Sequence, residues 1–309
     1  MSGGATDGQI AGFLMGLRLK GESVEEIAGC ARSMREKAVR ITTKHRDVID
    51  TCGTGGDGVG SFNISTTAAI IASAAGVPVA KHGNRAVSSA CGSADVLKAL
   101  GVNIEIPVEK VGKVLDEVGI SFLFAPMMHG AMKYAASVRK QLGIRTIFNI
   151  LGPLTNPAGA KRQVLGVFHS SLTDTMAAVL KELGSEHALI VHGEGGFDEF
   201  STLGKTKVSE LRGEAIANYE VSIESFGIRK AIMNDLRGGN AEQNASIVQN
   251  ILNGEDGAPK EIALYNAGAA IYVGGKADNL KLGVDVAREV VTYGHAAKKL
   301  SEWIEATNS

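Results

Sequence analysis

Residues 48–67 read VIDTCGTGGDGVGSFNISTT, and this stretch decides the fold. An apolar β-forming pair, Val48 and Ile49, runs into a loop with glycines at 53, 55, 56, 58 and 60, and an apolar helix opens after Asn63. A short strand, a glycine loop and a helix in that order make one unit of a parallel sheet. The unit recurs downstream. Apolar β-rich runs at 77–80, 102–106, 120–124, 164–168 and 188–191 alternate with helical periodicity at 66–75, 94–100, 109–118 and 172–183. The alternation predicts an α/β fold, with a mainly parallel central sheet flanked by helices.

Upstream of residue 45 only helices are legible. Ile10, Phe13, Leu14 and Leu17 recur at helical spacing until Gly21, and Ser23 with Glu26 forms a capping box that opens a second helix to about residue 40. Residues 130–142 are again helical and lead into a Gly/Pro/Asn-rich loop at 151–160 that can return to the helical region. Periodicity makes roughly the last 70 residues largely helical. The expected division is a small all-helical domain at 1–45, with a re-entrant segment near 130–155, and an α/β domain at 46–309.

Composition narrows the function. The 309 residues carry 32 Lys+Arg against 33 Asp+Glu, a net charge of −1, and only 5% aromatics. A broad basic nucleic-acid surface and base-stacking platforms are therefore not expected. The longest apolar run, near 68–80, is broken by Ser73 and Pro78 and is too short to span a bilayer. Three cysteines, Cys30, Cys52 and Cys91, follow no metal-ligand spacing and suit a reducing compartment. Absent a signal peptide, the expectation is a cytoplasmic protein. Glycine is in excess, 39 of 309 or about 13%, against roughly 7% in average proteins.

The glycine loop is not a dinucleotide fingerprint, because the helix does not start at once and no Asp or Glu occurs across residues 58–94. It is not a Walker A loop either, since no Lys follows Gly60. What remains is a loop of backbone N–H groups facing an anion. Asn63, Ile64, Ser65, Thr66 and Thr67 then place hydroxyls and free N–H groups at a helix start, the favourable end of the dipole for phosphate. The next strand ends in Lys81-His82-Gly83-Asn84-Arg85, followed by Ser88, Ser89 and Ser93, with Ser93 read as the cap of the next helix. After the run at 188–191 come Asp198 and Glu199, neighbouring carboxylates of the kind that hold Mg²⁺ beside a polyphosphate. Arg139 and Arg145 both have the fork to grip a carboxylate. Cys52 and Cys91 have no base beside them and read as packing residues. No nucleophile–base pair stands out, which points to leaving-group stabilisation rather than a covalent enzyme intermediate.

Taken together, Gly53–Asp57, Asn63–Thr66, Lys81–Arg85, Gly92–Asp95, Ala125-Pro126 with His129, the stretch from Arg145 to Pro157, and Asp198-Glu199 resemble the anthranilate phosphoribosyltransferase family over nearly the whole chain. The resemblance implies transfer of phosphoribosyl from phosphoribosyl diphosphate to anthranilate, in tryptophan biosynthesis, by a homodimer joined through its helical domain. It implies that Gly53, Gly56, Asp57, Ser61, Asn63, Ile64, Ser65 and Thr66 surround the diphosphate and its metal. Lys81, His82, Gly83, Asn84, Arg85, Ala86, Val87, Ser88, Ser89 and Ser93 complete the phosphoribosyl diphosphate site. Ser65, Asp198 and Glu199 would hold Mg²⁺. Gly53, Asn84 and Arg139 would meet anthranilate, with His82, His129, Pro126 and Gly152 near its path. Relatives have a further helical segment upstream; here Met1-Ser2-Gly3-Gly4 reads as its last turn, so an incomplete dimer surface is the expectation. A pyrimidine nucleoside phosphorylase is similar in architecture but is expected to carry Lys-His-Ser where this chain has Lys81-His82-Gly83. The other alternative is a non-catalytic relative that binds nucleic acid, which the charge and aromatic content disfavour.

Overall fold

The structure, a computed structural model, describes residues 2–86 and 90–309. Met1, Val87, Ser88 and Ser89 lie outside the described residues, and with them the expectations placed there. Seven strands form one sheet: β1 (Ile49–Asp50), β2 (Val79–Gly83), β3 (Ile120–Phe124), β4 (Arg162–Gly166), β5 (His187–Gly193), β6 (Thr206–Arg212) and β7 (Ala215–Val221). Their order is β3-β2-β1-β4-β5-β6-β7. The first five are mutually parallel, and β6 and β7 add an antiparallel hairpin at one edge. The short β1 sits at the centre, where the chain order reverses and the loops after β1 and β4 diverge, the place where open α/β sheets bind ligands.

One apolar cluster covers a face of this sheet. It joins helix Ile64–Ala74, helix Ala258–Val273 and the C-terminal helices to Ile49, Val79 and Leu189. The second cluster joins Leu14, Leu17, Ile27 and Met34 of the first two helices to Val138, Ile147, Ile150 and Leu154, and these to Leu165, Val167, Met176 and Ile190. Side chains from 138–154 thus pack among the N-terminal helices, as the return of that segment requires.

The second helix starts on the expected Ser23–Glu26 capping box, and the first on one at Thr6 that was not anticipated. Thr6 and Ser23 each form a complete capping box. The second helix ends at Lys37 rather than near residue 40, because the Val39 N–H leaves the helix to bond Met128 O at 2.9 Å. The strand expected at 102–106 is absent. Val102, Ile104 and Ile106 are buried and the residues between them exposed, but the backbone pairs with no strand. Its Asn103 N–H bonds Thr307 Oγ1 of the C-terminal helix instead, and Pro107 closes the segment. The β6–β7 hairpin was not anticipated: β7 is an edge strand with mostly exposed residues, so it lacks the buried alternation that marks a strand. Ser93 is a correction too. It is the first residue of helix Ser93–Ala99, whose cap is Gly92, and the Asp95 carboxylate accepts the Gly92 N–H at 2.9 Å.

Candidate active site at the carboxyl ends of the strands

β1 ends in Asp50, which is fully buried. Its carboxylate accepts the His82 N–H at 3.1 Å and the Asn156 amide at 2.7 Å, and the same amide bonds Ala80 O at 2.8 Å. Burial raises the Asp50 carboxyl to about 6 against these hydrogen bonds and the Lys81 charge. This network locks the ends of β1 and β2 together. Neither Asp50 nor Asn156 was singled out by sequence; the only cue was Asn156 in a Gly/Pro/Asn-rich loop.

Lys81 is 2% exposed. Its ammonium reaches Thr51 Oγ1 at 3.1 Å and Ser65 Oγ at 3.3 Å, so it lies beside the start of helix Ile64–Ala74. Strand β2 therefore carries a buried cation to the positive end of a helix, a pairing that suits an anion, with the Asp50 and Glu199 carboxyls within reach of its charge. Asn63 caps that helix by position only; its side chain meets Cys91 O and Asn244 instead. Ser61 lies in a bridge to Arg237, and Phe62 N–H bonds Leu236 O, so residues 236–238 support the loop from outside.

The acids come from the loop after β5. Asp198 and Glu199 line a small pocket with Thr51, Gly53, Ser65 and Asn266. Burial first, and then the Asp57 charge, push the Asp198 carboxyl up to about 7. Burial and the Asp198 charge push Glu199 well above the carboxylate range, while Lys81 and the Ser65 backbone N–H act against the rise. Asp198 and Glu199, with Asp57 raising both, carry too little positive charge beside them, which suits a hard divalent cation, although among the described residues the one His/Cys/Asp/Glu trio with ligand atoms within 4.8 Å of one another is Asp50, Cys52 and His82. Asn266 holds the loop: its amide bonds both the N–H and the carbonyl of Phe200, each at 2.9 Å. Close approach explains two glycines. A Cβ at Gly53 would stand 2.9 Å from Asp198 Oδ2, and one at Gly166 would fall on the Asp198 carbonyl.

His82 and His129 meet with Nε2 atoms 3.1 Å apart, both buried. Burial, then the other ring's charge, depresses His82 to about 3, and burial depresses His129, so the pair is neutral. Pro126 begins the short helix Ala125–Met128 just before His129, and Gly152 begins a 3₁₀ turn with open space beside it. Arg139 stacks over Phe148 at 5.1 Å. Asn84 Oδ1 accepts the Arg85 N–H, and Ala86 N–H bonds Asp95. Arg85 is not brought to the cluster: it is exposed and paired with Glu105 at 3.0 Å. Gly83 has no room for a side chain, because a Cβ would meet the Phe122 ring at 2.7 Å and Ser93 Oγ closer still. A serine at that position, as expected of a pyrimidine phosphorylase, does not fit. Burial raises the thiols of Cys52 and Cys91, as for packing residues, but the expectation that Cys52 has no base beside it fails: its Sγ lies within 4.8 Å of a carboxylate oxygen of Asp50 and a ring nitrogen of His82.

Models of the "Glycosyl transferase family, helical bundle domain" and "a/b domain" match residues 1–38 and 45–297. The chain belongs to this family and, within it, to the anthranilate phosphoribosyltransferases. It is 54% identical over its whole length to the anthranilate phosphoribosyltransferase of Acetivibrio thermocellus, of which it covers 90%, and 55% identical over 99% of its length to that of Alkaliphilus metalliredigens, again covering 90%. The crystal structure of the Thermus thermophilus enzyme superposes with a TM-score of 0.95 at 45% identity, over 100% of this chain and 92% of that one. A Saccharomyces cerevisiae anthranilate phosphoribosyltransferase solved in complex with PRPP and Mg superposes with a TM-score of 0.89 at 29% identity, over 98% of this chain and 85% of that one.

Proposed function

We propose that the site transfers the phosphoribosyl group of 5-phospho-α-D-ribose 1-diphosphate to the amine of anthranilate. The products are N-(5-phosphoribosyl)anthranilate and diphosphate, in tryptophan biosynthesis. The observation that carries this is the buried Lys81 ammonium beside the start of helix Ile64–Ala74, facing the acids of the Asp198 loop.

Departure of diphosphate from C1 leaves an oxocarbenium-like sugar. The Lys81 ammonium, the positive end of helix Ile64–Ala74 and the loop N–H groups around Gly53, Gly56 and Asp57 stabilise the departing charge. Ser61, Asn63, residues 82–84 and 86–89 and Ser93 complete that pocket, while Arg85 pairs with Glu105 outside it. Asp198, Glu199 and Ser65 hold Mg²⁺, which when bound neutralises part of the diphosphate charge. The anthranilate amine is a weak nucleophile, so placement against C1 matters most. Gly53, Asn84, His82, His129, Pro126 and Gly152 border its path, and Arg139 grips its carboxylate. The chain divides as a helical domain, 1–45 with a return near 130–155, and an α/β domain, 46–309. It works as a cytoplasmic homodimer joined through the helical domain. Among the described residues no helix is long and apolar enough to cross a membrane.

The test is loss of anthranilate fluorescence on adding phosphoribosyl diphosphate and Mg²⁺ to the purified chain. No loss, with thymidine phosphorolysis in its place, overturns the proposal.

A further inference from the structure

We propose that Arg145 is a positioning residue, clamping the glycine loop 53–60 in the shape that receives diphosphate. The proposal rests on reading that loop as the diphosphate site. Glycines 55, 56, 58 and 60 all have φ between +65° and +76°, so this is backbone that few other residues could follow. Glycine runs lose more conformational freedom on ordering than any other sequence, so a loop built this way needs fasteners.

Gly238 N–H fastens Gly60 O at 2.9 Å at the loop's far end, and three more fasteners hold residues 54–56. Gly55 N–H bonds Asp198 Oδ2 at 2.8 Å. Thr54 is held twice by the end of β4: its N–H bonds Gly166 O at 2.8 Å, and its Oγ1 accepts the Phe168 N–H at 3.0 Å. The third comes from outside both loops. The Arg145 guanidinium donates from Nη2 to Gly56 O and lies over the Phe168 ring, 4.0 Å from its centroid. Phe168 therefore anchors the loop with its backbone and supports the Arg145 fork with its ring. A planar guanidinium does both at once; an ammonium can donate but stacks poorly.

This use separates the two arginines that sequence left as rivals. Arg145 is committed to Gly56 and Phe168, whereas Arg139 stacks on Phe148 and, among the described residues, makes no bond to a carbonyl with its side chain.

Arg145→Ala, Arg145→Lys and Phe168→Leu are compared with wild type in two measurements. One is steady-state kinetics with anthranilate and with aniline, which lacks the carboxylate. The other is hydrogen exchange of the peptide spanning 53–60. Arg145 is exposed, so Arg145→Ala is expected to fold and melt like wild type. The expected result is faster exchange of the loop and a KM for phosphoribosyl diphosphate raised about tenfold, the order of one charge-assisted hydrogen bond at an exposed site. The preference for anthranilate over aniline is unchanged. Arg145→Lys recovers part of the KM, and Phe168→Leu falls between. Unchanged loop exchange in Arg145→Ala overturns the clamp. Collapse of the anthranilate preference also overturns it and makes Arg145 the carboxylate anchor. Faster loop exchange with an unmoved KM leaves the clamp standing and removes the diphosphate reading instead.

Discussion

Asp198 Oδ2 accepts the backbone N–H of Gly55 at 2.8 Å, tying the acid loop after β5 to the glycine loop after β1 across 143 residues of chain. The carboxyl that makes this bond is held at about 7 by burial and by Asp57. Its folded value stands above its ordinary value of 3.8, so the folded state binds the extra proton. In metal-free protein the contribution of this carboxyl to stability should therefore rise as the pH falls from about 7 towards 4, while the buried neutral His82 and His129 lose stability below about 6.5. Asp198→Asn with Glu199→Gln should flatten that rise and melt higher than wild type in EDTA, yet lose Mg²⁺-dependent activity. Thermal melts across pH, with and without Mg²⁺, check this. A difference in melting temperature between wild type and the double variant that stays constant on acidification contradicts it.

Lys81 is nearly fully buried and, among the described residues, bonds only to neutral oxygens, Thr51 Oγ1, Thr51 O and Ser65 Oγ. Truncation to alanine would leave a cavity as well as remove the charge, so Lys81→Met is the cleaner variant. Catalytic efficiency with phosphoribosyl diphosphate should fall ten- to a hundredfold, as for loss of a charge-assisted contact worth roughly 1.5–3 kcal/mol. A loss confined to the anthranilate KM would assign Lys81 to the other substrate.

Gly166 closes β4 against the backbone of Asp198, and a methyl group there has nowhere to go. The obstacle is a carbonyl, which cannot rotate aside like a side chain. Gly166→Ala should displace the acid loop, lowering both melting temperature and activity. Gly152→Ala, with nothing within 4 Å of its Cβ position, is the control for stability. Equal melting temperatures for the two variants would show that the acid loop is free to move.

Far from the site, Glu210 accepts hydrogen bonds from Tyr219 and Tyr272, each at 2.7 Å, and meets His187 Nε2 at 2.9 Å. Burial alone would raise its carboxyl, but the three partners together bring it down to about 2. A depressed acid contributes stability above its unfolded value, near 4.5, and loses it as the pH drops towards 2. Glu210→Gln should melt lower than wild type at neutral pH, and the gap should narrow as the pH falls from about 5 to 2. A gap that stays constant over that range would mean the charge contributes nothing.

The sequence by itself determined the strand–loop–helix order, the helical N-terminus, the glycine loop after β1 and the neighbouring acids after β5. Those readings rest on local periodicity, turn chemistry and composition, which need no distant partner. The same locality misled at 102–106, where alternation looks like a strand and the backbone answers to Thr307 instead. It was silent on the β6–β7 hairpin, whose outer strand buries almost nothing. Only the tertiary structure decided that Asp50 and Asn156 lock β1 to β2, that Asn266 holds the acid loop, and that Arg145 bends to Gly56 while Arg139 does not. Each of these joins residues far apart in the chain through one or two hydrogen bonds. Such a bond leaves no periodic trace in sequence, because it depends on where packed strands and helices end in space and not on what stands beside it in the chain.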